Sequence, residues 1–217
     1  MGQASPKQYL PLRGRTLIEW SLATLLATGW VDGVMVVLSK ADITFATLPI
    51  ARHPKIFTAA GGAARADSVL AGLAALAART LKGTQTRVLV HDAARPGLTA
   101  RLLAELRESD DTANGALLAL PCIDTLKRAD DSRALETVDR RRYWRAQTPQ
   151  LFGLEALTDA LQRAKAEGFE VTDEASAVER LGARPRLVRG SEGNLKVTYP
   201  EDLPLAEFWL GEQERGA

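Results

Sequence analysis

The chain has 217 residues, 46% of them hydrophobic, with 28 Lys and Arg against 27 Asp and Glu for a formal net charge of +1. That length supports a sizeable core, and the near-neutral balance argues against a broad nucleic-acid surface. Cys122 is the only cysteine, which excludes an internal disulfide and fits a reducing cytoplasm. Two histidines and one cysteine are too few for a structural zinc site. No apolar run approaches the ~20 residues of a membrane span, and the first residues do not resemble a secretion signal.

In chain order, Thr16 followed by Glu19 forms a capping-box pattern, predicting a helix through Leu26 with Gly29 just past its end. Val34 to Leu38 reads as a buried strand, followed by a short helix from Ala41 and a short strand at Ile56–Thr58. Val69, Leu73 and Leu76 recur with a helical period between Arg65 and Ala78. Arg87–Val90 is the next strand, Thr99–Arg107 a helix, and Gly115–Leu120 another strand. This alternation predicts an α/β fold, a mostly parallel sheet covered on both faces with right-handed crossovers.

Residues 124–150 break the rhythm. Leu126–Arg128 and Leu135–Val138 read as two charged strands around the polar turn Ala129–Ser132. A ribbon with so few core residues is marginal alone, so it is expected to be an arm, spanning about 122–147, that reaches a second subunit. Helices resume at Leu154–Gly168 and Thr172–Leu181. Arg186–Val188 is a late strand, and a last helix runs from Pro200 to Trp209 with proline near its first turn. With no linker, repeat or low-complexity tract, residues 1–217 read as one domain.

The chemistry concentrates at strand ends. Arg87–Val90 empties into His91-Asp92-Ala93-Ala94-Arg95-Pro96, and open α/β sheets bind ligands at the carboxyl ends of their strands. A carboxylate three residues from a guanidinium suits a metal-bound polyphosphate, although the same pair also suits a salt-bridged turn. Gly61-Gly62 opens the helix containing Ser68, where free backbone amides favour anions; an ordinary turn explains that pair as well. Lys7, between Pro6 and Gln8, and Lys196, in Asn194-Leu195-Lys196, supply further cations. Asp173 reads as a helix-start acid, and Glu192 as a candidate to assist a metal.

The runs PKQYL, RADSVLAGL, VLVHDAARP, DTLKR, TVDR, TPQLF, TDEASAVE, NLKVT and PEDL, in this order, resemble the 2-C-methyl-D-erythritol 4-phosphate cytidylyltransferases of the non-mevalonate isoprenoid pathway. The resemblance implies a Rossmann-like nucleotidyltransferase domain with a protruding β-arm, a homodimer, and Mg²⁺-dependent joining of CTP to methylerythritol phosphate with release of diphosphate. It implies that Lys7 holds the triphosphate and its growing charge, that Gly62 and Ser68 lie against cytosine and ribose, and that Asp92 binds the metal beside Ala93. Arg95, Thr125, Arg140, Thr148 and Lys196 would contact or orient the methylerythritol phosphate, with Thr125 and Arg140 serving the neighbouring subunit. Two other readings are a polyol-phosphate enzyme acting on ribitol 5-phosphate, and a catalytically impaired homologue.

One departure stands out. Relatives begin with a hydrophobic strand and a glycine-rich loop before PKQYL, and neither is present here. The start is therefore expected to lie roughly two dozen residues downstream of the family's usual one, leaving two open strand edges and an apolar slot where a doubly wound sheet has its central strand. Low stability and little activity are expected of such a chain.

Overall fold

A computed structural model describes residues 6–81 and 83–215. Met1–Ser5, including the start of the chain, therefore lie outside the described residues. After a single 3₁₀ turn at Lys7–Tyr9, a tight hairpin of β1 (Pro11–Leu12) and β2 (Arg15–Thr16) leads into α1 (Leu17–Ala27). The capping box is formed as expected: Glu19 Oε2 accepts from the Thr16 amide and hydroxyl, both at 2.8 Å.

Strands β3 (Val34–Leu38) and β4 (Ile56–Ala60) pair in parallel. The helix expected from Ala41 is instead two 3₁₀ turns, Phe45–Thr47 and Pro49–Arg52, because Asp42 accepts from the amides of Thr44 and Phe45 and Pro49 interrupts the run. Helix α2 (Arg65–Ala77), β5 (Arg87–Val90), α3 (Ala100–Glu108) and β6 (Ala116–Pro121) follow within one or two residues of their predicted bounds. The arm is β7 (Leu126–Asp130) and β8 (Arg133–Val138), joined by Asp131 and Ser132, both at positive φ. That left-handed pair fits the right-handed twist of a two-residue hairpin loop.

Sequence reasoning did not find β9 (Trp144–Gly153), a ten-residue strand at the centre of the main sheet. Helices α4 (Leu154–Ala166) and α5 (Glu174–Arg180), then β10 (Arg186–Arg189) and α6 (Asp202–Arg215), complete the fold. The last helix starts two residues after Pro200. Asp202 Oδ2 accepts from the amides of Thr198 and Tyr199, fixing a turn at 199–201 from which the helix then starts.

The main sheet has the order β10-β6-β9-β5. Because β9 is antiparallel to both β5 and β6, and β10 is parallel to β6, the sheet has one reversed strand among like-directed ones. Side chains alternate between two buried layers. Val88, Leu117 and Phe152 meet Leu157, Leu161 and Val178 on one face, while Leu118 and Leu151 meet Leu102, Leu103 and Leu106 on the other. The α/β class and the two-sided covering follow the sequence expectation.

Strands β3 and β4 form a separate pair, not hydrogen-bonded to the main sheet. Between β3 and β5 lies a cavity of about 310 Å³, walled by Val34, Val36, Val88 and Val90 on the strands, Leu22 on α1 and Leu73 on α2. The apolar slot expected from the sequence is thus a feature of the structure, and its polar end opens at His91, Asp92 and Arg65.

Candidate active site

The site is built on the turn after β5. The Arg95 amide donates to the Asp92 carbonyl at 3.1 Å, closing the turn. Ser21 of α1 braces it, its hydroxyl lying 3.1 Å from the carbonyls of both Ala93 and Arg95. From the other side the Val197 amide donates to the Ala94 carbonyl at 2.8 Å, which docks the segment carrying Lys196. Residues far apart in sequence therefore share one rim.

Asp92 is the focus of that rim, with 14% of its side chain exposed. Its Oδ2 lies 3.1 Å from Lys196 Nζ and 3.3 Å from Arg95 Nε, and its Oδ1 lies 3.5 Å from Arg65 Nη2. Burial works against ionisation, yet Lys196, then Arg65 and Arg95, hold the carboxyl below its usual range. The pairing of Asp92 with Arg95 expected from D-x-x-R is present, but two long-range cations join it. Such a cluster can hold a polyphosphate once anionic oxygens replace the carboxylate on the cations.

Beside it, the turn before α2 forms a second, open cavity of about 450 Å³ lined by Ser39, Lys40, Gly61, Gly62, Ala63 and Ser68. Ser68 Oγ accepts from the Gly62 amide at 3.1 Å and lies 3.1 Å from the Ala64 carbonyl. Its hydroxyl thus fixes the glycine turn from within. A Cβ on Gly62 would overlap Asp67, so glycine is required where the chain folds back on the helix start.

Lys7 is exposed in the 3₁₀ turn, next to Gln8, which lines the cavity that reaches Asp92. The turn is anchored by Tyr9, buried against Ile18 and Phe45, whose hydroxyl donates to Asp42 at 2.6 Å. Burial, then that hydrogen bond, pushes the phenol well above its ordinary pKa, so it stays protonated.

Two residues expected to touch substrate are already committed inside the protein. Thr148 is 4% exposed; its Oγ1 accepts from the Asp92 amide at 3.0 Å and lies 3.0 Å from His91 Nδ1. It therefore shapes the Asp92 turn. Arg95 is 8% exposed and donates through Nη1 to the Asn194 carbonyl at 2.8 Å, so it works largely as a brace between the two loops. Glu192 is paired with Arg145 and does not face Asp92. Thr125 and Arg140 lie on the exposed arm, where Arg140 donates to the Ile123 carbonyl; within one chain they are not brought to the Asp92 cluster.

Arg65 and Gln150 stand in the sequence's chemistry-bearing clusters without an assigned role, as Glu174 does in TDEASAVE, and Lys40 is not singled out at all. Arg65 and Glu174 were legible as parts of RADSVLAGL and TDEASAVE, but nothing local says that Arg65 faces Asp92 or that Glu174 is fully buried beneath it. Gln150 is 1% exposed and ties β9 to the start of α5, its amide donating to Asp173 at 2.9 Å and its carbonyl oxygen accepting from the Ala175 amide at 2.8 Å. The reading of Asp173 as a helix-start acid matches its place as the N-cap of α5.

His91 supplies a pH signature. A carbonyl can only accept, so the contact from Nε2 to the Arg95 carbonyl, 3.4 Å, puts the ring proton on Nε2 and leaves Nδ1 to accept from Thr148. Burial pushes the imidazole down to about 4. A depressed histidine pKa means that the unfolded chain binds the proton first, so stability is constant above about pH 6.5 and falls between there and pH 4. The loss reaches at most about 3 kcal/mol, the free-energy equivalent of that shift. His91→Gln, which keeps a neutral donor, is expected to flatten that limb of a Tm-against-pH series; an unchanged slope would exclude His91 as its source.

Among the described residues no group of three His, Cys, Asp or Glu side chains could hold a metal by itself, and no helix is long and apolar enough to cross a membrane. Asp92 is the carboxylate that faces the cavity. One carboxylate suits a magnesium ion that arrives on a polyphosphate and keeps several waters.

Comparison with known proteins places the chain among relatives of known family. Residues 1–212 match the family model for 2-C-methyl-D-erythritol 4-phosphate cytidylyltransferase. A protein of that name from Cronobacter sakazakii is 50% identical over 208 residues, covering 94% of this chain and 86% of its own. The Klebsiella pneumoniae protein of the same name is 49% identical over the same shares. A crystal structure of a 4-diphosphocytidyl-2C-methyl-D-erythritol synthase superposes with a TM-score of 0.84 at 41% identity, covering 95% of this chain and 94% of that one. The Thermus thermophilus 2-C-methyl-D-erythritol 4-phosphate cytidylyltransferase gives a TM-score of 0.77 at 32% identity, with 96% and 95% covered.

Proposed function

The chain belongs to the 2-C-methyl-D-erythritol 4-phosphate cytidylyltransferase family, and from that premise we propose that it transfers CMP from CTP to 2-C-methyl-D-erythritol 4-phosphate. The observation that carries the proposal is Asp92 set among Lys196, Arg95 and Arg65 on the rim beside the Gly61-Gly62 turn.

In this reading CTP lies with its base and ribose along Gly62, Ser68 and Ala93 and its phosphates toward the Asp92 cluster, with Lys7 beside them. Asp92 would hold Mg²⁺, which would supply neutralisation of phosphate charge. Lys196 turns from Asp92 to the acceptor phosphate and aligns it. An oxygen of that phosphate attacks the α-phosphorus, the bond to the β-phosphate breaks, and diphosphate leaves; no covalent enzyme intermediate is needed. Catalysis is then alignment plus charge neutralisation by Lys7 and Lys196. Arg95 and Thr148 keep the Asp92 turn and the 194–197 segment in register.

A diphosphate-release assay with CTP and Mg²⁺ tests the reading, with methylerythritol phosphate and ribitol 5-phosphate offered separately. Whatever turnover the chain shows, high or low, is expected with the former. Preference for ribitol 5-phosphate would move the acceptor to another polyol phosphate, and absence of both turnover and calorimetric CTP binding would mark an impaired homologue.

The proposal includes a homodimer in a reducing cytoplasmic setting, each arm completing the partner's site with Thr125 and Arg140. The arm and its base expose Ile123, Leu135, Tyr143 and Trp144, more apolar surface than a two-stranded ribbon normally leaves in water. Mixing Asp92→Asn with Arg140→Ala chains is a direct check. If arms cross, random re-association leaves one intact site in each hybrid dimer, restoring about a quarter of wild-type activity from two inactive parents. If each arm serves its own subunit, every site carries a lesion and activity stays at the parental level.

A further inference from the structure

Glu174 and Arg65 are poorly explained as devices of stability. Glu174, the first residue of α5, has no exposed surface, and its two oxygens take both ends of the Arg65 fork, Nη1 at 2.6 Å and Nη2 at 3.0 Å. Arg65, the first residue of α2, keeps 37% of its side chain exposed. Burying a carboxylate is costly, and an apolar pair of similar volume often serves a fold as well or better. What the pair does hold is a direction: the planar fork is clamped with Nη2 3.5 Å from Asp92 Oδ1, while the opposite oxygen meets Lys196 and Arg95.

The clamp rests on the same scaffold as the site. Gln150, opposite Val90 in the β5–β9 ladder, accepts from the Ala175 amide and donates to Asp173, so the start of α5 is fastened two residues from Asp92. Glu174 is thereby held against the sheet, and Arg65 against Glu174. Lys196, by contrast, is held by its ion pair to Asp92 and keeps 40% of its side chain exposed, which leaves it room to turn to an incoming phosphate.

We propose that Glu174 is a positioning residue, which locks the Arg65 guanidinium so that it orients the Asp92 carboxylate without closing on it as a full ion pair. The inference rests on the nucleotidyltransferase reading and deepens it by assigning two residues outside the expected site. With Glu174 neutral, Arg65 is released to saturate Asp92, and the carboxylate is lost to the magnesium-bearing nucleotide. With lysine in place of Arg65, the charge remains but the two-point clamp does not.

The test uses the full chain and three variants, Glu174→Gln, Arg65→Lys and the apolar double variant Glu174→Leu with Arg65→Met. Thermal melting, calorimetric binding of CTP with and without Mg²⁺, and steady-state kinetics are measured on each. Glu174→Gln and Arg65→Lys are expected to lower kcat about 10–100-fold, the range found for outer-shell partners. Both should weaken CTP binding in Mg²⁺ more than without it, and leave KM for the acceptor within about twofold. The double variant is expected to melt at or above the wild-type temperature yet stay as impaired as the single variants. Activity that returns with stability in the double variant, or Arg65→Lys at wild-type kcat, would overturn the inference. Failure of the wild-type chain to bind CTP would instead strike the nucleotidyltransferase reading itself.

Discussion

Replacing Asp92 with asparagine is expected to reduce kcat/KM by about 10²–10³-fold, the effect of losing one preorganised charge-stabilising group. The substitution keeps the shape of the side chain and removes the carboxylate that faces the cavity and meets Lys196, Arg95 and Arg65. Without it Lys196, Arg95 and Arg65 repel one another. Lys196 and Arg65 keep 40% and 37% of their side chains exposed, so water screens them, while Arg95 at 10% has less relief. A fully buried pair would lose ~3–5 kcal/mol; here about 2 kcal/mol of stability is expected to go. The variant's rim is more positive, so CTP without magnesium should bind as well as or better than to wild type, whereas the gain on adding Mg²⁺ should vanish. Calorimetric titration in the two buffers reads this crossing of affinities directly. Wild-type turnover by the variant would remove Asp92 from the mechanism.

Adding a single methyl group at Gly97 is expected to cost both fold and activity. A Cβ there would run into the Gly193 carbonyl, whose oxygen and carbon are backbone atoms that cannot rotate aside. The segment they belong to is packed on Trp209 and fastened by Arg95 and Gln147 to the Asn194 carbonyl, so relief requires moving the whole 193–197 stretch outward. Overpacking of this kind destabilises by about 1–3 kcal/mol, and the upper end applies because both sides are main chain. Lys196 moves with the stretch. A displacement of about 1 Å at an aligning group costs on the order of 10²-fold in rate. Gly29→Ala is the control, since nothing lies within 4 Å of its added Cβ; its stability should change by less than about 0.5 kcal/mol. Equal behaviour of the two variants would show that the close approach at Gly97 is tolerated.

Legibility in the sequence follows the range of the forces involved. The helix at Leu17 is announced by Thr16 and Glu19, three residues apart, and the arm by two short charged strands with a polar turn between them. Strand β9 was hidden for a physical reason. Its run Ala-Gln-Thr-Pro-Gln places polar side chains and a proline in the middle of a sheet, a pattern that argues against a central strand. The sheet accommodates it by an irregularity: β6 pairs Leu117 with Gln150 and then Ala119 with Ala146, so Pro149 sits where no ladder donor is needed. The side-chain NH₂ groups of Gln147 and Gln150 donate to the Ser191 carbonyl and to Asp173, far along the chain.

By itself the sequence determined the alternation of elements, the position of His91-Asp92-Ala93-Ala94-Arg95-Pro96 at a strand's end, and a chemistry of one carboxylate among cations, because each of these is written within a few neighbouring residues. Only the tertiary structure decided which cations meet Asp92, that Thr148 and Ser68 spend their hydroxyls on the protein's own turns, and that Glu174 lies buried beneath Arg65. Those outcomes depend on sheet order and on where loops from distant segments dock, and side-chain bonds of a few ångströms follow that placement rather than the spacing of residues along the chain.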